Sequence, residues 1–207
     1  MHTSMTRYFT AATAALALLA ALAATSSARS FSSTSNTLRA TWTRLEFTNE
    51  LGFGTVSCPI TLEGSFHSRT IAKTAELIGA ITRVDIRRPC TGGEATARTE
   101  TLPWHFTYFG FIGNLPNITS IIFLISRLHY NISLPGVCDG EYGTATDNTR
   151  YTATREAGGA LTALEPSTDR LTLVRTLSGI CPSRMGKRGS ANITALNSAS
   201  RITVTLI

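Results

Sequence analysis

From Thr37 to the C-terminus, apolar side chains recur at every second position, the signature of strands that turn one face to a core and one to water. From Thr55 to Phe66, Val56, Cys58, Ile60, Leu62 and Phe66 fall on one face, and Thr55, Ser57, Thr61, Glu63 and Ser65 on the other. Leu128, Tyr130, Ile132 and Leu134 repeat the pattern, as do Ile202, Val204 and Leu206. Between Trp42 and Leu45 the phase slips, which predicts a β-bulge. No stretch after Thr37 carries a convincing helical period. Thr, with 33 occurrences, suits pleated and half-exposed surfaces. Breaks such as Gly92-Gly93, Gly113-Asn114-Leu115-Pro116, Pro135-Gly136 and Gly158-Gly159 supply turns at the spacing of a sandwich or barrel. The expected fold is therefore all-β: an antiparallel β-sandwich or barrel-like domain of about 9 to 12 strands. The run Ile118 to Ile125 is apolar on both faces and is expected to be a central strand covered on both sides.

The first residues break this pattern. Arg7 is followed by an apolar run of 14 residues from Ala11 to Ala24 and then by Thr25-Ser26-Ser27-Ala28, the order of a cleavable signal peptide, here with an expected cut after Ala28. A spanning helix needs ~20 apolar residues, so a membrane anchor fits less well. No cysteine near the cut offers a lipid-attachment site. The expected organisation is a signal helix over 1–28, a flexible hydroxyl-rich spacer over 29–36 and a single β-domain over 37–207, secreted or held at the cell surface.

Export changes the meaning of the cysteines. Cys58, Cys90, Cys138 and Cys181 all follow the cut, and an even number in an oxidising compartment predicts two disulfides. Three pairings are possible, of which sequence order favours Cys58 with Cys90 and Cys138 with Cys181. The cysteines are isolated, with no Cys-x-x-Cys and no histidine at ligand spacing, so no metal site is expected.

Beyond the cut there are 18 basic and 13 acidic residues, and only Lys73 and Lys187 of the basic set are lysines. The excess is scattered. Nucleic-acid binding needs cations concentrated on one face, so no nucleic-acid partner is expected.

Catalytic signatures are missing from the sequence: there is no Gly-x-Ser-x-Gly elbow, no His-Glu-x-x-His and no Walker loop, and no cofactor is expected. His67 and His129 continue polar strand faces, where a solvated side chain is the ordinary explanation. His105 sits within Pro103-Trp104-His105-Phe106-Thr107-Tyr108-Phe109-Gly110-Phe111. Trp104, Phe106 and Tyr108 share one face there, and His105, Phe109 and Phe111 the other. Such a strand is either central, with both faces covered, or a binding surface for sugars, peptides or a partner protein. In the second case Trp104, His105, Tyr108 and Phe109 are the binding residues. Acids such as Glu63, Asp85, Glu100 and Glu141 are spread one per strand, and their separation decides whether any two could act as a glycosidase pair. Asn117-Ile118-Thr119, Asn131-Ile132-Ser133 and Asn192-Ile193-Thr194 match the N-glycosylation sequon, close to chance in so hydroxyl-rich a chain.

The segments Leu62 to Lys73 and Leu102 to Thr119 resemble stretches of uncharacterised exported proteins of actinobacteria. The resemblance spans roughly residues 50 to 130. It implies a bacterial source and a secreted β-rich domain, and it brings no activity or site residue. Together these features lead to an expected non-enzymatic binding or structural module whose partner is a cell-envelope component or protein. The competing expectation is a secreted hydrolase of cell-wall polymer or polysaccharide centred on His105.

Overall fold

The computed structural model describes residues 30–49, 52, 54–144, 148–167 and 170–207. The expected signal peptide, 1–28, lies outside the described residues. The alternation becomes sixteen strands: β1 (Ser30–Ser33), β2 (Thr37–Asn49), β3 (Thr55–Phe66), β4 (Thr70–Ala72), β5 (Leu77–Ile86), β6 (Glu94–Ala97), β7 (Trp104–Asn114), β8 (Asn117–Ser126), β9 (His129–Leu134), β10 (Cys138–Gly143), β11 (Thr149–Arg155), β12 (Leu161–Pro166), β13 (Leu171–Gly179), β14 (Arg184–Arg188), β15 (Ala191–Thr194) and β16 (Val204–Leu206). A 3-10 turn, Thr99–Thr101, joins β6 to β7. Several strands beyond the expected number are pieces of three or four residues, too short to show a period.

Eight strands form a closed antiparallel barrel in the order β15-β12-β11-β8-β7-β5-β3-β2, and pairing of β15 with β2 closes the ring. Its inside is apolar: Leu38, Ala40 and Trp42 of β2 and Tyr151 and Ala153 of β11 are buried. Phe106 meets Phe66 and Phe123 edge to face. A cavity of about 40 Å³, lined by Leu38, Phe66, Phe106, Phe123, Tyr151 and Ile193 among others, is what this packing leaves over. Arg39, Thr41, Glu63, Arg83 and Asp85 line a depression outside the barrel wall. The wall formed by β2, β3 and β5 is thus apolar within and charged without, whereas a membrane-spanning barrel needs an apolar outer face. Among the described residues no helix is long and apolar enough to cross a membrane.

The other strands of the same sheet continue from β2 as β14-β13-β10-β9-β6. An antiparallel bridge from Thr91 to Ser57 ties the approach to β6 back onto β3. Strands β2 and β3 therefore run through two circuits. The first half of β2 pairs with β15 through Arg39 to Trp42, and the second with β14 through Glu46 to Asn49. The change of partner falls at the bulge between Trp42 and Leu45. There Gly189, at φ 145°, brings its backbone so close that a Cβ would lie 2.5 Å from the Arg44 carbonyl oxygen. Its own carbonyl accepts from Trp42 Nε1 at 3.3 Å.

Both expected disulfides are present and no described cysteine is free. Cys58–Cys90 staples β3 beside the Thr91 bridge, and Cys138–Cys181 joins the start of β10 to the segment after β13, with Cα separations of 4.4 and 4.9 Å. Two disulfides suit a non-reducing, extracellular environment.

Two local expectations change. Ser30–Ser33, within the expected flexible spacer, is strand β1, paired with β4 and β16. Its one large apolar side chain, Phe31, is buried against Tyr108 with ring centroids 5.8 Å apart, and burying it offsets the cost of ordering the segment. Strand β8 is covered on one face only: Ile118, Ile121, Phe123 and Ile125 are buried, whereas Ile122 and Leu124 are half-exposed.

Candidate functional site

The aromatic strand β7 divides at Phe109. Before it the alternation is regular, and Trp104, 0% exposed, and Tyr108, 5% exposed, point into the core. Trp104 donates from Nε1 to Thr101 Oγ1 at 2.8 Å and stands edge-on to Tyr130. Burial also pushes the Tyr108 phenol pKa up. These two are therefore core residues and not the binding residues the sequence proposed. His105 is half-buried, and its carbonyl accepts from Ser126 Oγ. Its ring makes no hydrogen bond to a carboxylate or hydroxyl among the described residues.

Phe109 continues the outward face at 51% exposure and is the extra residue of a bulge between Tyr108 and Gly110, which shifts the phase of the residues after it. The Arg150 guanidinium lies 5.6 Å from its ring centroid. Of the four expected binding residues, Phe109 alone displays a large exposed surface. It joins an outer apolar band with Ile112, Ile122 and Leu124.

A different set of residues converges on the outer face of β6, β9, β10 and β13. Register places Thr96 beside Asn131, Asn131 beside Glu141, Glu141 beside Arg175, and His129 beside Gly143. The Arg98 N–H donates to the His129 carbonyl at 3.1 Å, carrying the ladder one residue past β6. The Glu141 carboxylate sits at the centre and is only 6% exposed. Its Oε2 accepts from Arg98 Nη1 at 2.5 Å and faces Arg175 Nη2 at 3.6 Å, and its Oε1 lies 3.0 Å from His129 Nδ1. Arg98 also pairs with Glu100.

A carboxylate taken out of water costs several kcal/mol unless it is paired and hydrogen-bonded. On the outward face of a sheet a threonine would meet the packing need without that cost. What Glu141 achieves is to hold Arg98, His129 and Arg175 in one arrangement. An ionised carboxylate only accepts, so Nδ1 of His129 carries the proton and, in the neutral ring, Nε2 keeps its lone pair. Hydrogen bonding to Glu100 raises the Arg98 pKa. Its own backbone N–H and then Arg98 hold the Glu100 carboxyl below its usual range. Hydroxyls of Ser133 and Ser178 do the same for Asp139.

Two depressions flank this network. One, of about 310 Å³, is lined by Glu94, Thr96, Asn131, Ser133, Asp139 and Leu177 among others. Asn131 Oδ1 is buried there with no hydrogen-bond partner among the described residues. The other, of about 430 Å³, is lined by Glu100, Thr101, Ser126, Arg127, His129, Thr144 and Asn148. Among the described residues no group of three or more His, Cys, Asp or Glu could hold a metal ion.

His129 was expected to be a solvated side chain and is instead fixed from two sides. Glu141 orients it, and its ring lies on Gly143, where a Cβ would come within 2.7 Å of Cδ2 and 2.8 Å of Nε2. Gly143→Ala should displace the imidazole and break its hydrogen bond to Glu141 at a stability loss below about 1 kcal/mol, since the atoms met are the end of a side chain. Nitrogen chemical shifts of the His129 ring should move while the melting temperature changes by a few degrees. An unchanged ring spectrum would show that Gly143 does not set its position.

Compared with protein-family models, curated proteins and solved structures, the chain matches none.

Proposed function

We propose that the chain is an exported, non-enzymatic binding domain that takes a polar, hydroxyl-bearing polymer of the cell envelope on the open face of β6, β9, β10 and β13. The observation that carries this reading is the buried Glu141 carboxylate, which fixes three cationic or polar side chains on a face the core does not need. Fixed donors and acceptors suit polyols, because ordering them before binding lowers the entropy lost on binding. Asn131 and Asp139 extend the same polar face along the sheet. Export is supported by the signal-like N-terminus and by the two disulfides.

The test is affinity electrophoresis of the mature chain through gels containing dissolved neutral or acidic polysaccharides. Retardation by at least one polymer is expected. His129→Ala, which removes the central acceptor, should weaken it about tenfold, the worth of one hydrogen bond in a preorganised site. Free migration through every polymer would contradict the reading. The carboxylate-backed imidazole of His129 also has the form of a general base, so the same polymers should be assayed for new chain ends after incubation. Their appearance would make the chain a hydrolase centred on His129.

A further inference from the structure

Resting on that reading, we infer that the depression between the 3-10 turn and the β8–β9 corner is an anion subsite, built to take a carboxylate or phosphate group carried by the hydroxylated polymer. Strand β8 ends at Ser126 and β9 begins at His129, so two residues turn the corner. Arg127 does so at φ 63°, a left-handed conformation uncommon for a residue with a side chain. The turn drives Leu128 fully into the core and leaves Arg127 exposed on the wall of the depression. Glycine would adopt that backbone without steric cost, so arginine there is explained by its guanidinium and not by the turn.

The charges in and behind the depression differ in availability. Glu100 is tied to Arg98, and Glu141 to Arg98, Arg175 and His129. Arg127 makes no ion pair or hydrogen bond among the described residues, which leaves its planar donor fork open to a carboxylate or phosphate. Polar partners for hydroxyl groups stand beside it. In its neutral ring His129 offers Nε2 as an acceptor, and Glu100 keeps lone pairs. Thr144 Oγ1 accepts from the Leu128 N–H at 3.1 Å, so its own hydroxyl hydrogen is free to donate. Thr101, whose hydroxyl already donates to the Arg98 carbonyl and accepts from Trp104, belongs to the frame. One unpaired guanidinium among hydroxyl-seeking groups matches an acidic polyol.

The experiment uses the mature chain in gels containing polygalacturonate, polyglycerol phosphate or neutral dextran, at physiological salt. Arg127→Gly removes the guanidinium and suits the left-handed backbone, so the variant should fold with an unchanged or higher melting temperature. Arg201→Gln, which removes an equal charge at an exposed position, is the control. Retardation by one or both acidic polymers, weakened about tenfold in Arg127→Gly and unchanged in Arg201→Gln, is the expected result. Retardation by polygalacturonate alone assigns a carboxylate, by polyglycerol phosphate alone a phosphate, and by both the shared anion. Equal weakening in the two variants, or equal retardation by dextran, overturns the anion subsite while the binding face stands. Absence of retardation by all three overturns the subsite together with the proposed function.

Discussion

Reducing both disulfides should lower the unfolding free energy by about 7 kcal/mol, enough to leave the chain at the edge of unfolding at 25 °C. Cys58–Cys90 and Cys138–Cys181 close loops with sequence separations of 32 and 43 residues. Loop-closure entropy gives each about 3 to 4 kcal/mol, set against the 5 to 15 kcal/mol by which folded domains usually exceed their unfolded chains. The two staples serve the same circuit of strands from different places. Cys58–Cys90 holds β3 beside the Thr91 bridge, and Cys138–Cys181 fixes the far end of the β10–β13 pair. Denaturant midpoints with and without reductant, and for the paired Cys→Ala variants, measure the effect. Each pair removed singly should cost roughly half of the total. A combined loss below about 2 kcal/mol would mean that the strand pairing alone specifies the fold.

Trp104→Ala should cost about 3 to 5 kcal/mol, the usual consequence of deleting a fully buried aromatic side chain. The indole is 0% exposed, packs edge-on against Tyr130 with centroids 5.4 Å apart, and loses its hydrogen bond to Thr101 in the variant. Phe109→Ala, on the same strand but on its outward face, should change stability by less than about 1 kcal/mol. Thermal unfolding of the two variants separates core from surface along β7. Comparable losses for both would place Phe109 in the core as well and remove the outer apolar band.

The contrast between these neighbours shows where the sequence stops being informative. On β3 only one face is apolar, so the alternation identifies the buried side: Val56, Cys58, Ile60, Leu62 and Phe66 are all buried. On β7 both faces are apolar. Parity groups Trp104, Phe106 and Tyr108 but cannot say which group faces inward, and the bulge at Phe109 then changes the phase. The slip in β2 was legible as a bulge, yet its role was not, because the strands that meet it there lie far along the chain. Trp42 pairs with Ala191, and Glu46 with Arg188. Barrel closure rests on the first of these long-range pairings, and the second circuit starts from the other.

The polar site was hidden for the same reason. Arg98, His129, Glu141 and Arg175 belong to four separate stretches, and none stands in a motif. They become neighbours only through the registers of β6, β9, β10 and β13. One signal was present: Gly143 stands in phase with Glu141 and Asp139 on β10, so a strand that alternates acid and glycine leaves room for a neighbouring ring. Without the register, no residue could be named to fill it. The half-exposed Ile122 and Leu124 illustrate the opposite case, since an apolar outward face predicted a cover that the described residues do not provide.

We propose that ligand recognition belongs to the face around Glu141 and not to the aromatic strand. Amide and side-chain chemical shifts of isotope-labelled residues 29–207, followed during addition of short acidic oligosaccharides, test it residue by residue. Shifts grouped at Arg98, Arg127, His129, Asn131, Glu141 and Arg175, with Phe109 and Ile112 unmoved, are the expected result. Shifts grouped instead on Phe109, Ile112, Ile122 and Leu124 would contradict it.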